Sequence, residues 1–277
     1  MKENTIEHVN RITKNWQQGD YVIGDLMFLF GYNPCCPLKE GIEKTNDQRI
    51  SFIEDHVYGL ILLSQTCDVR RDCRDRPYIE MAALQIESKK YELIRKFRMP
   101  SYVAVPALAT DKIVVDLERV MTFEKSSLIL LDAARKSGFT TPAELKKFSW
   151  ALGRKRSRFA FPDEFTTMMG PLKKRLIEKH GKNTKEGLLL TLVQEIRVRA
   201  APDWGNENVA LTFWFVLEEN SLVSDANDQI EEWRKLIDKG NSPYTKIDMQ
   251  LADYQSLTAK DYIESDPLDL EALSMTN

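Results

Sequence analysis

Residues 57–63 read VYGLILL, seven apolar or small positions with no polar alternation, and they run straight into the cluster Ser64-Gln65-Thr66-Cys67-Asp68. A run of that kind, bounded by turn-prone residues, predicts a strand buried on both faces that delivers polar groups at its end. Upstream, Ile6, Val9, Ile12 and Trp16 recur at helical spacing, so residues 4–17 read as a short amphipathic helix. The β-branched and aromatic stretch 20–31 predicts one strand, or two broken near Gly24, and the Pro- and Gly-containing residues 32–50 predict a long exposed loop. Downstream, strands are expected at 77–86, 101–107, 112–117, 120–123 and 127–131, with a helical turn or two at 89–97. Several short strands at close spacing argue for a small, mostly antiparallel β-barrel over roughly residues 18–125.

The second half changes character. Thr141-Pro142-Ala143-Glu144 has the marks of a helix start, and that helix is expected to end at Gly153, leaving 154–161 as a basic, aromatic loop or extended segment. Further helices are expected at 163–180, interrupted at Gly170-Pro171, at 184–193 and at 225–238. Strands at 195–201 and 208–217 flank the turn Pro202-Asp203-Trp204-Gly205. The fold class expected is therefore α+β: a barrel domain with its N-terminal helix over 1–138, then a helical part with a two- to three-stranded sheet and an acidic tail over 139–277.

Charge alters this picture more than composition does. The total, 39 basic against 42 acidic residues in 277, is close to neutral, yet the charges are segregated. Residues 146–186 hold twelve Lys/Arg and four Asp/Glu, a local +8, while 248–277 hold seven acids and one lysine, a local −6. That asymmetry points to an anionic partner for the middle of the chain, or to a tail that folds back onto it. The N-terminus lacks the basic-then-apolar pattern of a secretory leader, and no apolar run is long enough to span a bilayer, so a cytoplasmic protein without a membrane partner is expected. Cys35, Cys36, Cys67 and Cys73 are then reduced thiols.

Two stretches carry candidate chemistry. Ser64, Thr66, Cys67 and Asp68 gather hydroxyls, a thiol and a carboxylate at a strand end, as a catalytic or ligand-binding turn would. The same hydroxyls also suit plain satisfaction of turn backbone, with Cys67 packed as a small hydrophobe. A nucleophilic Cys67 needs a base, for which His56 is the nearest imidazole in sequence. The four cysteines lack the short chelating spacing of structural zinc sites, so no metal is expected, nor any cofactor. The stronger signal is Lys147, Arg154, Lys155, Arg156 and Arg158 among Phe148, Trp150, Phe159 and Phe161, a mixture that grips phosphates and stacks on unpaired bases. Trp204, on its turn, is a candidate surface contact.

Gly19-Asp20-Tyr21-Val22-Ile23, followed by Gly59-Leu60-Ile61-Leu62-Leu63-Ser64 and then 78–84, resembles the opening of the MazF/PemK-type ribonuclease toxins. The resemblance covers about residues 18–125 and implies an SH3-like barrel, with Ser64 and Thr66 in the place of the catalytic hydroxyl. Where that family carries an Arg-Pro pair before the buried strand, this chain has His56, Val57 and Tyr58. The Ser-Gln-Thr-Cys-Asp cluster, residues 158–162 and residues 268–270 are also similar to bacterial proteins of mobile and anti-phage defence loci. Together these readings imply a bacterial nucleic-acid-binding or effector module of defence or toxin–antitoxin type that takes RNA or DNA; an enzyme version of it adds metal-independent RNA cleavage. The alternative is a non-catalytic assembly subunit docking a partner protein.

Overall fold

A computed structural model describes residues 2–95, 97, 99–157, 159–217, 226–237 and 243–268. The chain divides into two compact units, Met1–Arg156 and Ser157–Asn277.

In order along the first unit come α1 (Lys2–Thr13), β1 (Asp20–Tyr32), β2 (Ser51–Leu62), α2 (Thr66–Val69), β3 (Tyr78–Ile86), α3 (Tyr91–Arg95), β4 (Tyr102–Ala104), β5 (Ile113–Glu124), α4 (Leu128–Leu131), β6 (Lys136–Ser137) and α5 (Pro142–Arg156). The six strands pair antiparallel in the order β4-β5-β3-β2-β1-β6 and curl into a half-barrel. Where the sequence suggested a break near Gly24, β1 is one strand whose register shifts between Ile23 and Leu26. Of the run 57–63 expected to be buried on both faces, Val57 and Gly59–Leu63 are buried, while Tyr58 is 45% exposed. Ile61 and Leu63 join a core with Tyr21, Leu84 and Val115 that α5 covers through Phe148 and Ala151. Leu60 and Leu62 join the opposite core with Val22 and Met81, closed by Trp16 after α1 and by Leu128 of α4. Period-2 alternation thus feeds two cores from one strand, each such side chain contributing about 1.5–3 kcal/mol over exposure.

Three local expectations change. Leu128–Leu131 form α4 after a tight turn at Lys125–Ser127, where a strand is expected at 127–131, because a short apolar run fits either state until its packing is known. The strands expected at 112–117 and 120–123 are one, β5, with a register shift that leaves Leu117, Glu118 and Arg119 unpaired against β3. Helix α5 continues through Gly153 to Arg156, so Arg154, Lys155 and Arg156 are helical and not in a loop. A mid-helix glycine costs about 1 kcal/mol. Leu152 packing on the core and the ion pairs Lys155–Glu118 and Arg156–Glu80 hold the last turn in place against it. The expected boundary at 138/139 falls before α5, which the two-unit division puts with the first unit.

The second unit runs α6 (Asp163–Met168), α7 (Gly170–Lys179), α8 (Lys185–Leu192), β7 (Val193–Ala201), β8 (Val209–Leu217), α9 (Ala226–Lys235), β9 (Tyr244–Asp253), α10 (Ala259–Ile263) and β10 (Asp266–Pro267). Its sheet has four strands in the order β10-β7-β8-β9 and not the two or three expected. The added edge strand β9 pairs with β8 in parallel, and the partners lie too far apart in sequence for local pattern to reveal them. One core gathers Phe165, Leu172, Leu176, Val198, Phe213, Phe215 and Trp233. Trp204 is no free surface contact: its ring packs on Phe159, Phe161 and Phe165, and its Nε1–H donates to Asp266 Oδ2 at 3.1 Å.

Candidate functional site

At the end of β2 the backbone N–H of Leu63 donates to Glu80 O at 2.9 Å, and the Glu80 N–H donates back to Ser64 Oγ at 2.8 Å. The Ser64 hydroxyl thus closes the β2–β3 ladder. Thr66 Oγ1 accepts the Gln18 backbone N–H at 3.1 Å. Both hydroxyls expected to be catalytic therefore satisfy backbone donors, which is the simpler of the two readings their residue types allowed.

Gln18, buried at the start of β1, links three elements through its side-chain amide. Nε2–H donates to Leu63 O at 2.7 Å, and Oε1 accepts the Ser149 hydroxyl of α5 at 2.6 Å. Beneath the turn lies Lys125, only 1% exposed. Its ammonium donates to the carbonyls of Asp68 and Arg71, both at 2.8 Å, and so ties down the end of α2. Burial holds the Lys125 pKa below the usual lysine value, an effect that the nearby Cys73 and Asp68 oppose.

The turn and the last turns of α5 face each other across a cavity of about 640 Å³. Its polar lining is Gln18, Ser64, Gln65, Asp68, Glu80, Ser149, Lys155 and Arg156, two carboxylates facing two cations, and its apolar lining is Leu63, Leu117, Val120 and Leu152. Two stretches some ninety residues apart are thereby brought to one concavity. Both cations hold carboxylates: Lys155 pairs with Glu118 and also approaches Ser101 Oγ at 3.3 Å, and Arg156 Nη2 lies 2.5 Å from Glu80 Oε2. Asp68 has Arg71 at 3.7 Å.

The remaining candidates fall elsewhere. Arg154 donates to the Phe97 carbonyl and sits 5.6 Å over the Trp150 ring. Lys147 is exposed and borders a second cavity of about 350 Å³ with Phe97 and Phe148. Arg158 lies outside the described residues, as do residues 269–277 of the acidic tail. Cys67 is exposed, with Sγ 3.6 Å from Gln65 Oε1. The proposed imidazole partner does not reach it. His56 pairs with Asp25 at 2.5 Å on the outer part of the hairpin, six residues before the end of β2, which is about 20 Å along a strand. Among the described residues no group of three or more His, Cys, Asp or Glu is placed to hold a metal ion. Among them, too, no helix is long and apolar enough to cross a membrane.

No family model, curated protein or solved structure matches this chain. The site therefore rests on its own geometry. Sequence reasoning missed Gln18, Glu80, Lys125 and Ser149. A glutamine after a helix and a lysine after a strand have no local pattern to set them apart, and Gln18 meets Ser149 across 131 residues.

Proposed function

We propose that the chain is a nucleic-acid-binding or effector module of a bacterial defence or toxin-type system, working in the cytoplasm, and that its first unit holds a nucleotide in the 640 Å³ cavity. The observation that carries this reading is the meeting of Ser64, Gln65 and Asp68 with Lys155 and Arg156 over an apolar floor. The volume is that of a small-molecule site, and the mixture suits a planar base below and a phosphate at the rim. The Arg156–Glu80 pair is exposed on both sides, and pairs of that kind contribute about 0–1 kcal/mol, so a phosphate displaces Glu80 at little cost. Lys155, with 19% of its side chain exposed, holds Glu118 more firmly.

Binding of labelled RNA and DNA oligonucleotides across salt tests the reading. Each phosphate contact on a single strand adds about 0.7 to the slope of log affinity against log salt. The double variant Lys155→Ala/Arg156→Ala is expected to flatten the slope by about 1.4. Binding that ignores salt, or a slope the double variant leaves unchanged, overturns the assignment.

The finer form of the proposal is that the half-barrel is of the SH3-like MazF/PemK type and cleaves RNA without a metal. Asp68 would take the proton of a 2′-hydroxyl whose oxygen attacks the adjacent phosphorus; the P–O5′ bond breaks, the 5′-oxygen leaves with a proton from water, a 2′,3′-cyclic phosphate remains, and Arg71, 3.7 Å from Asp68, would face the developing charge. Labelled RNA incubated with wild type and with Asp68→Ala decides this form. Equal cleavage by both marks a contaminant and removes the catalytic claim.

A second reading, a non-catalytic subunit that docks a partner protein, has support in the hairpin of β1 and β2. Met27, Leu29, Phe52 and Tyr58 are 38–68% exposed there, beside Ile50. Light scattering after size exclusion separates the readings: a monomer that ignores nucleic acid favours the docking subunit.

A further inference from the structure

The basic stretch that reads as continuous from 146 to 186 is split between the two units, and its first part meets a different basic segment in the first. Residues 89–98 hold Lys89, Lys90, Arg95, Lys96 and Arg98 against Glu92, five basic residues to one acidic; of these Lys96 and Arg98 lie outside the described residues. The seam where this segment meets α5 is aromatic. Phe97 presents its ring edge to Trp150 at 6.1 Å and 74°, and its carbonyl accepts a hydrogen bond from Arg154. Phe97 has φ 56°, a left-handed conformation that bulky side chains rarely take, and such strain clusters at ligand sites.

Trp150 is 45% exposed, whereas Trp16 and Trp233 are fully buried and Trp214 is 5% exposed. Lys147 and Arg154, three residues before it and four after, share its helix face. The indole has Phe97 beside it and the Arg154 guanidinium 5.6 Å over its ring, and 45% of its surface still remains open to solvent. Charge and chemistry together describe a platform for a flat ring that carries negative charge beside it.

We propose that the α3–α5 seam stacks an unpaired base on Trp150 while Lys147 and Arg154 face the flanking phosphates, so that the nucleic acid taken is single-stranded. This rests on the nucleic-acid reading above and adds the strand state and a second contact point along α5. A duplex keeps its base faces inside the stack, and only an unpaired base offers one to an indole.

The test is binding of a single-stranded oligonucleotide and of a hairpin duplex of equal length and composition, followed by tryptophan fluorescence and by mobility shift. Wild type is expected to prefer the single strand, with quenching of its emission. Trp150→Ala is expected to weaken single-strand binding by about 5- to 150-fold, the 1–3 kcal/mol of one stacked base, and to abolish most of the quench. Trp150→Phe, which keeps a ring, is expected to retain most of the affinity. Circular dichroism confirms that both variants fold. Salt-dependent binding that Trp150→Ala leaves intact, or equal binding of duplex and single strand, overturns the stacking seam while the nucleic-acid reading stands. Absence of salt-dependent binding to either form overturns both.

Discussion

Replacing Lys125 by methionine tests whether a buried ammonium holds the candidate site in shape. The lysine donates to the Asp68 and Arg71 carbonyls at 2.8 Å each, from a position 1% exposed. Two hydrogen bonds from a charged donor contribute about 3–6 kcal/mol before the cost of taking the ammonium out of water, which is itself several kcal/mol. Methionine keeps the packing of the stem and removes that cost, but leaves two carbonyls at the end of α2 without their donor. A net loss of about 1–3 kcal/mol follows, and for a unit of this size 2 kcal/mol lowers the melting temperature by about 4–8 °C. Calorimetry of wild type and Lys125→Met measures it directly. The pH dependence supplies a second arm. Burial lowers the Lys125 pKa from 10.5, so the unfolded chain holds that proton more tightly than the folded one. Wild-type stability therefore rises relative to the variant as pH climbs through the lowered value toward that of a free lysine, and the gap widens. A variant that melts at or above the wild-type temperature would falsify the clamp, because the turn would then be held by Gln18 and the strand ladder alone.

Two further perturbations probe the same unit. A Cβ on Gly59 would lie 2.3 Å from the Val22 carbonyl oxygen, a backbone atom that cannot swing aside, so Gly59→Ala is expected to cost about 3 kcal/mol in denaturant unfolding; a loss under about 0.5 kcal/mol shows that β1 and β2 separate freely. Asp20 is fully buried beside Arg135 at 3.1 Å, with one carboxylate oxygen unpartnered, and desolvation raises its pKa above 3.8. Its neutral form is thus the one the fold prefers, a contribution present below the unfolded pKa and lost as pH rises through the raised value. The stability of Asp20→Asn is expected to gain on wild type as pH rises from the ordinary carboxylate range through the raised value, and a difference that stays constant shows that burial does not control the titration.

Much of the first unit was legible because its signals are local. The unbroken run before Ser64 gave the doubly buried strand, and Thr141-Pro142-Ala143-Glu144 gave the start of α5, where the Glu144 carboxylate accepts the Thr140 and Thr141 N–H groups at 2.8 and 3.1 Å. Gly153 does not stop α5 because a mid-helix glycine costs only about 1 kcal/mol and the packing of Leu152 on the core, which local pattern does not show, offsets it. The β8–β9 pair was illegible for another reason. It is a parallel pairing across a helix, set by packing on Phe213, Phe215 and Trp233 and not by any turn.

The split of the basic stretch follows from the same distinction between local and long-range signals. In sequence, Lys147, Arg154, Lys155 and Arg156 stand together with Lys173, Lys174 and Arg175 and look like one cationic face. In the fold, Arg175 is spent on a buried carboxylate, Glu186, which also accepts the Trp233 Nε1–H at 2.8 Å. That arginine is 45% exposed, but removing it from Glu186 would leave a buried carboxylate without its cation, so a phosphate displaces it at a higher cost. The α5 cations are tied instead to Phe97, Glu118 and Glu80 at the margins of a cavity and an exposed ring. Net charge along the chain therefore overstates the anion-binding surface, and the residues worth testing are those whose partners a phosphate or a base can replace at small cost. By that criterion Arg156 and Trp150 come first, Lys155 with 19% of its side chain exposed comes second, and Arg175, held by a buried carboxylate, comes last.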